Sequence, residues 1–538
     1  MSQGVLRGAD LVVAALAGAG VRQLFTLSGN QILSVYDATV GSDIALIHTR
    51  HEAAAVHMAD GWGRLTEQPG VALVTAGPGH LNAVSALYTA LMSQSPVVLL
   101  SGHAPRAQLG RGAFQEVDQV GAARPVIKAG WLVERAEALG QDVARALELA
   151  RAWPPGPVHL SLPGDLLEAR VTAVPSPSGS RRAPESPPVA ERLVGEALAL
   201  RADARRPLIL AGPAMGRASR WSDVARLADI TGMPALLMES PRGVNDPALR
   251  AAGASLAQAD AVLLLGKRLD FTLRFGQPAA FAAGCRFIHI DLDAGPPADR
   301  VTLALNGEPP AVVRQLLAAA TRQPWPRSAW AKEVEDARRA SPPAWEALAR
   351  AATRPMHPLR LCAALQPLVE RGILVADGGE FGQWCQAGLE PAIRLINGPA
   401  GAIGSALPMA LGARLARPDL PMFAVLGDGT FGFHALEFDT AVRHRIPVVA
   451  VVGNDARWNA EHQLQLQHYG AERAVGCGLM PSRYDRVVEA LGAHGEFVEQ
   501  PEDLAPALAR AAAAGRPACV NVIIDGAAAP AFARGATH

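Results

Sequence analysis

Two apolar runs in the last third of the chain constrain its fold more than any other feature. The first is Val425-Leu426-Gly427-Asp428-Gly429-Thr430, and about one βαβ step later comes Val451-Val452-Gly453-Asn454-Asp455. Each reads as a strand that turns to glycine and polar residues where it leaves the core, and in a parallel sheet ligands sit beyond such strand tips. Glycine lets backbone N–H groups approach phosphate oxygens, and Asp428 offers a hard oxygen for Mg²⁺. Asp428 and Asp455 together read as a cation site bridging the protein to a diphosphate. The plainer alternative is two aspartates on an exposed loop. Asn454 either holds a phosphate oxygen or orients the turn. Arg457 can contribute only its backbone carbonyl to a cation, because its side chain is itself cationic.

The rest of the chain supplies more strands of the same kind. The 538 residues exceed what one core can organise and suit roughly three domains. In residues 1–165, GADLVVAALAGAGV reads as a helix, VRQLF, IALIHT, GVALVTAG and SPVVLLSG as strands, and GPVHLSLPGD closes the unit. Residues 170–188, rich in proline, serine and charge, read as a linker. A central α/β domain, residues 190–330, follows with PLILAGPAMG, TGMPALLMES, ADAVLLLGKRL and CRFIHIDLD. Its strand-ending Gly212 and Gly266 suit either a nucleotide or a purely structural domain. A second linker is expected over about 323–343. In residues 350–530, strands are expected at GILVADGG, MFAVLGDG, PVVAVVGND and ACVNVIID, and helices at GAIGSALPMALGARLA, ALEFDTAVRHR and YDRVVEALGA. The expected class is α/β, with two similar outer halves around a central domain.

Composition excludes several functions. Fifty basic and fifty acidic side chains cancel, so nothing steers the chain toward nucleic acid or acidic lipid. Five widely spaced cysteines form no CxxC pair or disulfide framework, which points to a reducing cytoplasm. The first residues, MSQGVLRGAD, lack an export signal, and no apolar run approaches a membrane span.

A second chemical feature stands far from the first. Glu52, in Thr49-Arg50-His51-Glu52-Ala53-Ala54-Ala55, follows a strand and opens an alanine-rich helix. There a carboxylate serves either as a partner of the helix dipole or as a catalytic group.

With RHEAAAVHMADGWGR (50–64), TAGPGHLNAV (75–84), FQEVDQ (114–119), GAIGSALPMALGA (401–413) and GDGTF…VVGND (427–455), the chain resembles thiamine diphosphate-dependent enzymes of the acetohydroxyacid synthase and benzaldehyde lyase type. The resemblance implies three Rossmann-like parallel-sheet domains: pyrimidine-binding (1–165), central (190–330), and diphosphate- and Mg²⁺-binding (350–530). It makes Glu52 the carboxylate that hydrogen-bonds N1′ of the aminopyrimidine, and Ile403 the apolar wedge that bends the cofactor. Gly401 offers a carbonyl to the 4′-amino group. Asp428, Asp455 and the Arg457 carbonyl become the Mg²⁺ ligands, while Gly427, Gly429, Thr430 and Asn454 face the diphosphate.

Several departures accompany the match. The family usually carries asparagine where this chain has Asp455, which adds negative charge beside the diphosphate. Phe381 and Gly382 stand where the synthases carry glutamine and histidine, and the resemblance places them at the cofactor. Gln115 matches a glutamine that reaches the reacting centre. Ser28, Asn30 and Gln31 occupy the loop facing the reactive carbon, where benzaldehyde lyase has histidines at two of the three places. His80 stands alone, without the histidine pair of the pyruvate decarboxylases, and is a candidate for the substrate pocket. Trp458 follows the metal segment and is a candidate for the substrate mouth.

The activity implied is carbon–carbon bond formation or cleavage on 2-oxo acids or 2-hydroxy ketones, acetolactate synthase-like. The alternatives are a 2-hydroxyacyl-CoA lyase or benzaldehyde lyase-like enzyme, and a non-catalytic cofactor-binding partner protein. GKRLDFTLRFG (266–276) resembles the CoA branch, but no basic cluster is evident to meet CoA phosphates. The resemblance also implies a homodimer or homotetramer with active sites between subunits.

Overall fold

The computed structural model describes residues 6–171, 187–292, 299–326 and 328–532. Its strands form three parallel sheets and one short antiparallel ribbon. The first part contains β1 (Leu6–Arg7), β2 (Gln23–Thr26), β3 (Ala45–His48), β4 (Gly70–Val74), β5 (Val97–His103), β6 (Ala129–Leu132), β7 (Val158–Pro163) and β8 (Arg170–Val171). The sheet order is β3-β2-β4-β5-β7-β6, while β1 and β8 pair separately. The central sheet, β10-β9-β11-β12-β13, uses β9 (Pro207–Ala211), β10 (Ala235–Leu237), β11 (Ala261–Leu265), β12 (Arg286–Asp291) and β13 (Val301–Asn306). The third, β15-β14-β16-β17-β19-β18, uses β14 (Ile373–Ala376), β15 (Ile393–Ile396), β16 (Met422–Gly427), β17 (Val449–Asn454), β18 (His494–Val498) and β19 (Ala518–Ile523). Counted by order of appearance, both outer sheets run 2-1-3-4-6-5, so the two halves that look alike in sequence share one topology.

Three details differ from the sequence reading. The expected linker at 170–188 begins inside β8, and its residues 172–186 lie outside the described residues. The expected linker at 323–343 contains a helix, Trp330–Arg339. Trp330 and Val334, one helical turn apart, are buried against the central core, and the Trp330 indole N–H donates to Pro207 O at 2.9 Å. The helix expected from Gly401 starts only at Ala406, because Gly401 and Gly404 take φ of +66° and +90°. The buried Asp377 carboxylate accepts the Ala406 N–H at 3.1 Å and fixes that start.

The central sheet changes direction between β9 and β11, where an open α/β sheet of this order leaves a ligand crevice. Side chains from the first part of the chain fill it. Gln94 donates to Gly266 O (3.3 Å) and accepts the Ala214 N–H (3.0 Å). Trp153 lies against Gly266 and donates to Asp291 Oδ1 at 2.9 Å. These contacts bind the first and central sheets together at the place a nucleotide would need.

One hydrophobic core joins the outer sheets. It runs from Phe25, Met58 and Leu87 to Met409, Leu426 and Phe438. The helices Glu52–Thr66 and Ala406–Ala416 cross inside it with almost no room between their backbones. A Cβ on Gly61 would lie 2.3 Å from Met409 O, and one on Gly412 would lie 2.0 Å from Met58 O. Gly412→Ala should therefore destabilise the protein by about 1–3 kcal/mol through overpacking. Gly18→Ala, with nothing within 4 Å of the added carbon, should be neutral or slightly stabilising. Chemical denaturation of the two variants checks the contrast.

Candidate active site

Parallel register carries the two aspartates to one place. β16 and β17 are neighbours, with Gly427 opposite Gly453, so Asp428 and Asp455 leave the sheet at adjacent tips. Asp428 is buried at the start of the helix Asp428–His434 and accepts the N–H groups of Gly429 and Arg457. Burial pushes the carboxyls of both Asp428 and Asp455 upward, and Asp428's charge raises Asp455 further. The two carboxyls share the Arg457 N–H as a donor, and Asp428 Oδ2 is left buried without a hydrogen-bond partner. Orphaned, desolvated carboxylate oxygens fit a hard divalent cation, so the residues suit Mg²⁺.

The surrounding groups have separable tasks. Asn454 is spent on the turn: its Nδ2 donates to Ser482 O and Asn521 Oδ1, both at 3.1 Å, and its Oδ1 accepts the Ala456 N–H. Of the two roles open to it in sequence, this arrangement is the orienting one. The Trp458 ring lies over Gly429, where a Cβ would come within 2.7 Å of it. Thr430 and Ile403 converge above Gly378, whose Cβ would lie 3.0 Å and 2.7 Å from their Cγ2 atoms. Phe381 is a core residue packed on Gly453, and Gly382 uses its N–H on Gly378 O inside the helix Gly379–Gly388. Neither therefore presents a side-chain donor to a phosphate. Asp377, unnoticed in sequence, is the group that holds the 401–406 turn.

A second cluster surrounds Glu52. His51 caps the helix Glu52–Thr66 by accepting the Ala53 N–H on its ring nitrogen, so Glu52 is not itself the cap. Asn82 Nδ2 donates to Glu52 Oε2 at 3.0 Å, and Oε1 lies beside Gly79, 3.2 Å from where a Cβ would stand. Ser28 and Asn30 are exposed at the tip after β2. Gln31 and Gln115 lie close by, hydrogen-bonded to one another. His80 does not join this group: it is fully buried, hydrogen-bonded to Ser101, with its ring centroid 4.5 Å from that of His159 at a tilt of 41°. That is sheet interior rather than a substrate mouth. Asn82's role leaves no mark in the sequence, since its partner lies on another helix.

Within one chain the Glu52 helix is anchored to the third sheet's helices. The Arg50 N–H donates to both Glu437 oxygens (3.1 and 3.3 Å), and Thr440 donates to Oε2 at 2.6 Å. The His48 N–H donates to His444 Nε2, and Arg443 donates back to His48 O. Burial pushes Glu437 up to about 7. No hydrogen bond or ion pair among the described residues joins Glu52 to Asp428. A separate cleft of about 850 Å³, lined by Arg217, Leu237, Arg250, Ile393 and Arg394 among others, includes neither.

Three family models match the chain. The N-terminal TPP binding domain of thiamine pyrophosphate enzymes covers residues 6–122, their central domain 194–316, and their C-terminal TPP binding domain 377–522. An acetolactate synthase large subunit of Mycobacterium tuberculosis is 36% identical over 535 residues, covering 96% of this chain and 95% of the relative. A 2-hydroxyacyl-CoA lyase 2 of Bos taurus is 32% identical over 572 residues, covering 96% and 90%. A 2-hydroxyacyl-CoA lyase of Oryza sativa is 29% identical over 549 residues, covering 96% and 95%.

The Glu437 anchor has a pH signature. Because its folded value is raised, the folded state keeps the proton longer than the unfolded chain. Its contribution to stability is complete below an unfolded value of 4.5 and is lost as pH rises through about 7. Glu437→Gln should flatten the fall in thermal midpoint over that window. Melting curves as steep as the parent's would contradict the assignment.

Proposed function

This chain belongs to the thiamine pyrophosphate enzyme family, and on that premise we propose that it makes or breaks a carbon–carbon bond next to a carbonyl on a 2-oxo acid or 2-hydroxy ketone, as an acetolactate synthase does. It is an enzyme that depends on thiamine pyrophosphate, a carboligase or lyase. The observation that carries the reading is Glu52: a buried carboxylate with one oxygen tied to Asn82 and the other beside Gly79, close to Thr75. When bound, the cofactor supplies an electron sink for the carbanion left as such a bond breaks.

Each cluster then has a task. Glu52 would hydrogen-bond N1′ of the aminopyrimidine through Oε1, with Asn82 holding Oε2 in place. Ile403 would pack against the bound cofactor, and the Gly401 carbonyl would accept its 4′-amino group. The Thr430 backbone N–H would face the diphosphate, while the Gly429 N–H is held by the Asp428 carboxylate beside it. Asp428, Asp455 and the Arg457 carbonyl hold Mg²⁺. Gln115 faces the substrate, with Ser28, Asn30 and Gln31 around it.

The Glu52 and Asp428 clusters belong to different sheets, and exposed apolar side chains rim both. Phe114 (71% exposed) and Leu81 stand beside the first; Phe433, Leu436 and Met480 (75% exposed) stand near the second. These rims support at least a homodimer, and by resemblance a homotetramer, in which one copy's Glu52 meets the other's Asp428. The five buried, unpaired cysteines fit a reducing cytoplasm, and no helix among the described residues is long and apolar enough to cross a membrane.

The bovine and rice relatives favour one second reading, cleavage of a 2-hydroxyacyl-CoA. Product analysis with pyruvate, benzoin and a 2-hydroxyacyl-CoA separates the readings; acetolactate from pyruvate is the expected result. Glu52→Gln should keep cofactor binding and slow C2 proton exchange by about 10²-fold or more. An unchanged exchange rate, measured by NMR, would remove Glu52 from the chemistry.

A further inference from the structure

Four glycines clear the space around the first cluster. A Cβ on Gly29 would lie 2.5 Å from Thr75 Oγ1, and one on Gly102 would lie 2.7 Å from Gln31 Cβ. One on Gly77 would lie 2.5 Å from Gln115 O, and one on Gly79 would lie 2.7 Å from Thr75 Cγ2. The cleared space holds a short hydrogen-bond chain running one way. Thr75 Oγ1 donates to Gln31 Oε1 at 2.6 Å, and Gln31 Nε2 donates to Gln115 Oε1 at 3.0 Å. Gln115 sits at a φ of +58°, a conformation a non-glycine residue keeps only when its surroundings enforce it.

A carboxamide has one acceptor end and one donor end. With its oxygen engaged by Gln31, Gln115 presents its NH₂, and among the described residues no hydrogen bond uses that nitrogen. We infer that Gln31 is a positioning residue: through Thr75 and Gln31 the protein holds the Gln115 amide with its NH₂ toward the reacting centre, as a donor to the substrate carbonyl oxygen. Negative charge grows on that oxygen as a carbon nucleophile adds to the carbonyl, and a fixed N–H donor stabilises it without reorganising. This rests on the functional reading above. It gives Gln31 a different task from a group that moves a proton, since a carboxamide does not titrate.

The test is a reversal of polarity. In Gln31→Glu the shape stays, but the carboxylate can only accept; it draws the Gln115 NH₂ to itself and turns the Gln115 carbonyl toward the substrate. The expected result is a fall in kcat of about 10²-fold, the size seen when one oxyanion donor is lost. Cofactor affinity, read by tryptophan fluorescence, and C2 proton exchange should stay within about threefold of the parent, because Glu52 is untouched. Gln31→Met, which keeps the bulk without the amide, should lose activity on its own but add nothing to Gln115→Ala, as coupled residues do. Overturning results are a kcat for Gln31→Glu within about twofold of the parent, losses for Gln31→Met and Gln115→Ala that multiply, or a Gln31→Glu variant that no longer binds the cofactor. A parent protein that takes up no thiamine diphosphate would instead sink the functional reading itself.

Discussion

Two carboxylates at the tips of neighbouring parallel strands, one buried and the other partly so, raise each other's energy as charges, and a cation between them relieves it. That constraint organises the third sheet. The β16–β17 register sets Asp428 and Asp455 side by side, and Asn454, bonded to Ser482 and Asn521, keeps the turn from relaxing them apart. Asp377 fixes the turn that brings Ile403 over Gly378, next to Thr430. The acid at position 455, where the family usually has an amide, raises the negative charge a cation would have to meet. Arg457, exposed and nearby, opposes part of it.

The Glu52 cluster obeys a different logic. It contains no opposed charges but a set of amides and hydroxyls of fixed direction, with Asn82 on Glu52 and the Thr75–Gln31–Gln115 chain alongside. Its helix is clamped to the third sheet through Glu437 and through the glycine-mediated crossing with the Ala406 helix. Rigid mounting of this helix on the third sheet fixes the direction of the side chains it carries. The filled crevice of the central sheet fits a domain that braces the outer two.

Much of this was legible in sequence because strand tips announce themselves. Apolar runs ending in Gly-Asp-Gly or Gly-Asn-Asp gave the third sheet and its acids, and the spacing of motifs gave the three-part fold and the family. Short or half-exposed strands such as β6, β13, β15 and β18 carried no such run and went unread. The helix Trp330–Arg339 was hidden in a charged, proline-flanked stretch whose only apolar anchors are one turn apart. Roles set by long-range partners were also invisible: Asn82, Asp377 and Glu437 act on residues far along the chain, and His80 and Phe381 were assigned to the site although packing takes them into the interior.

Subunit complementation tests the shared-site arrangement most directly. Chains carrying Glu52→Gln and chains carrying Asp428→Asn, each inactive alone, would be co-expressed with different affinity tags and the mixed assembly purified. A site built across two copies leaves one intact pairing in each mixed dimer, so activity returns. A verified mixed dimer as inactive as its parents would place Glu52 and Asp428 of the same chain in one site and contradict the arrangement.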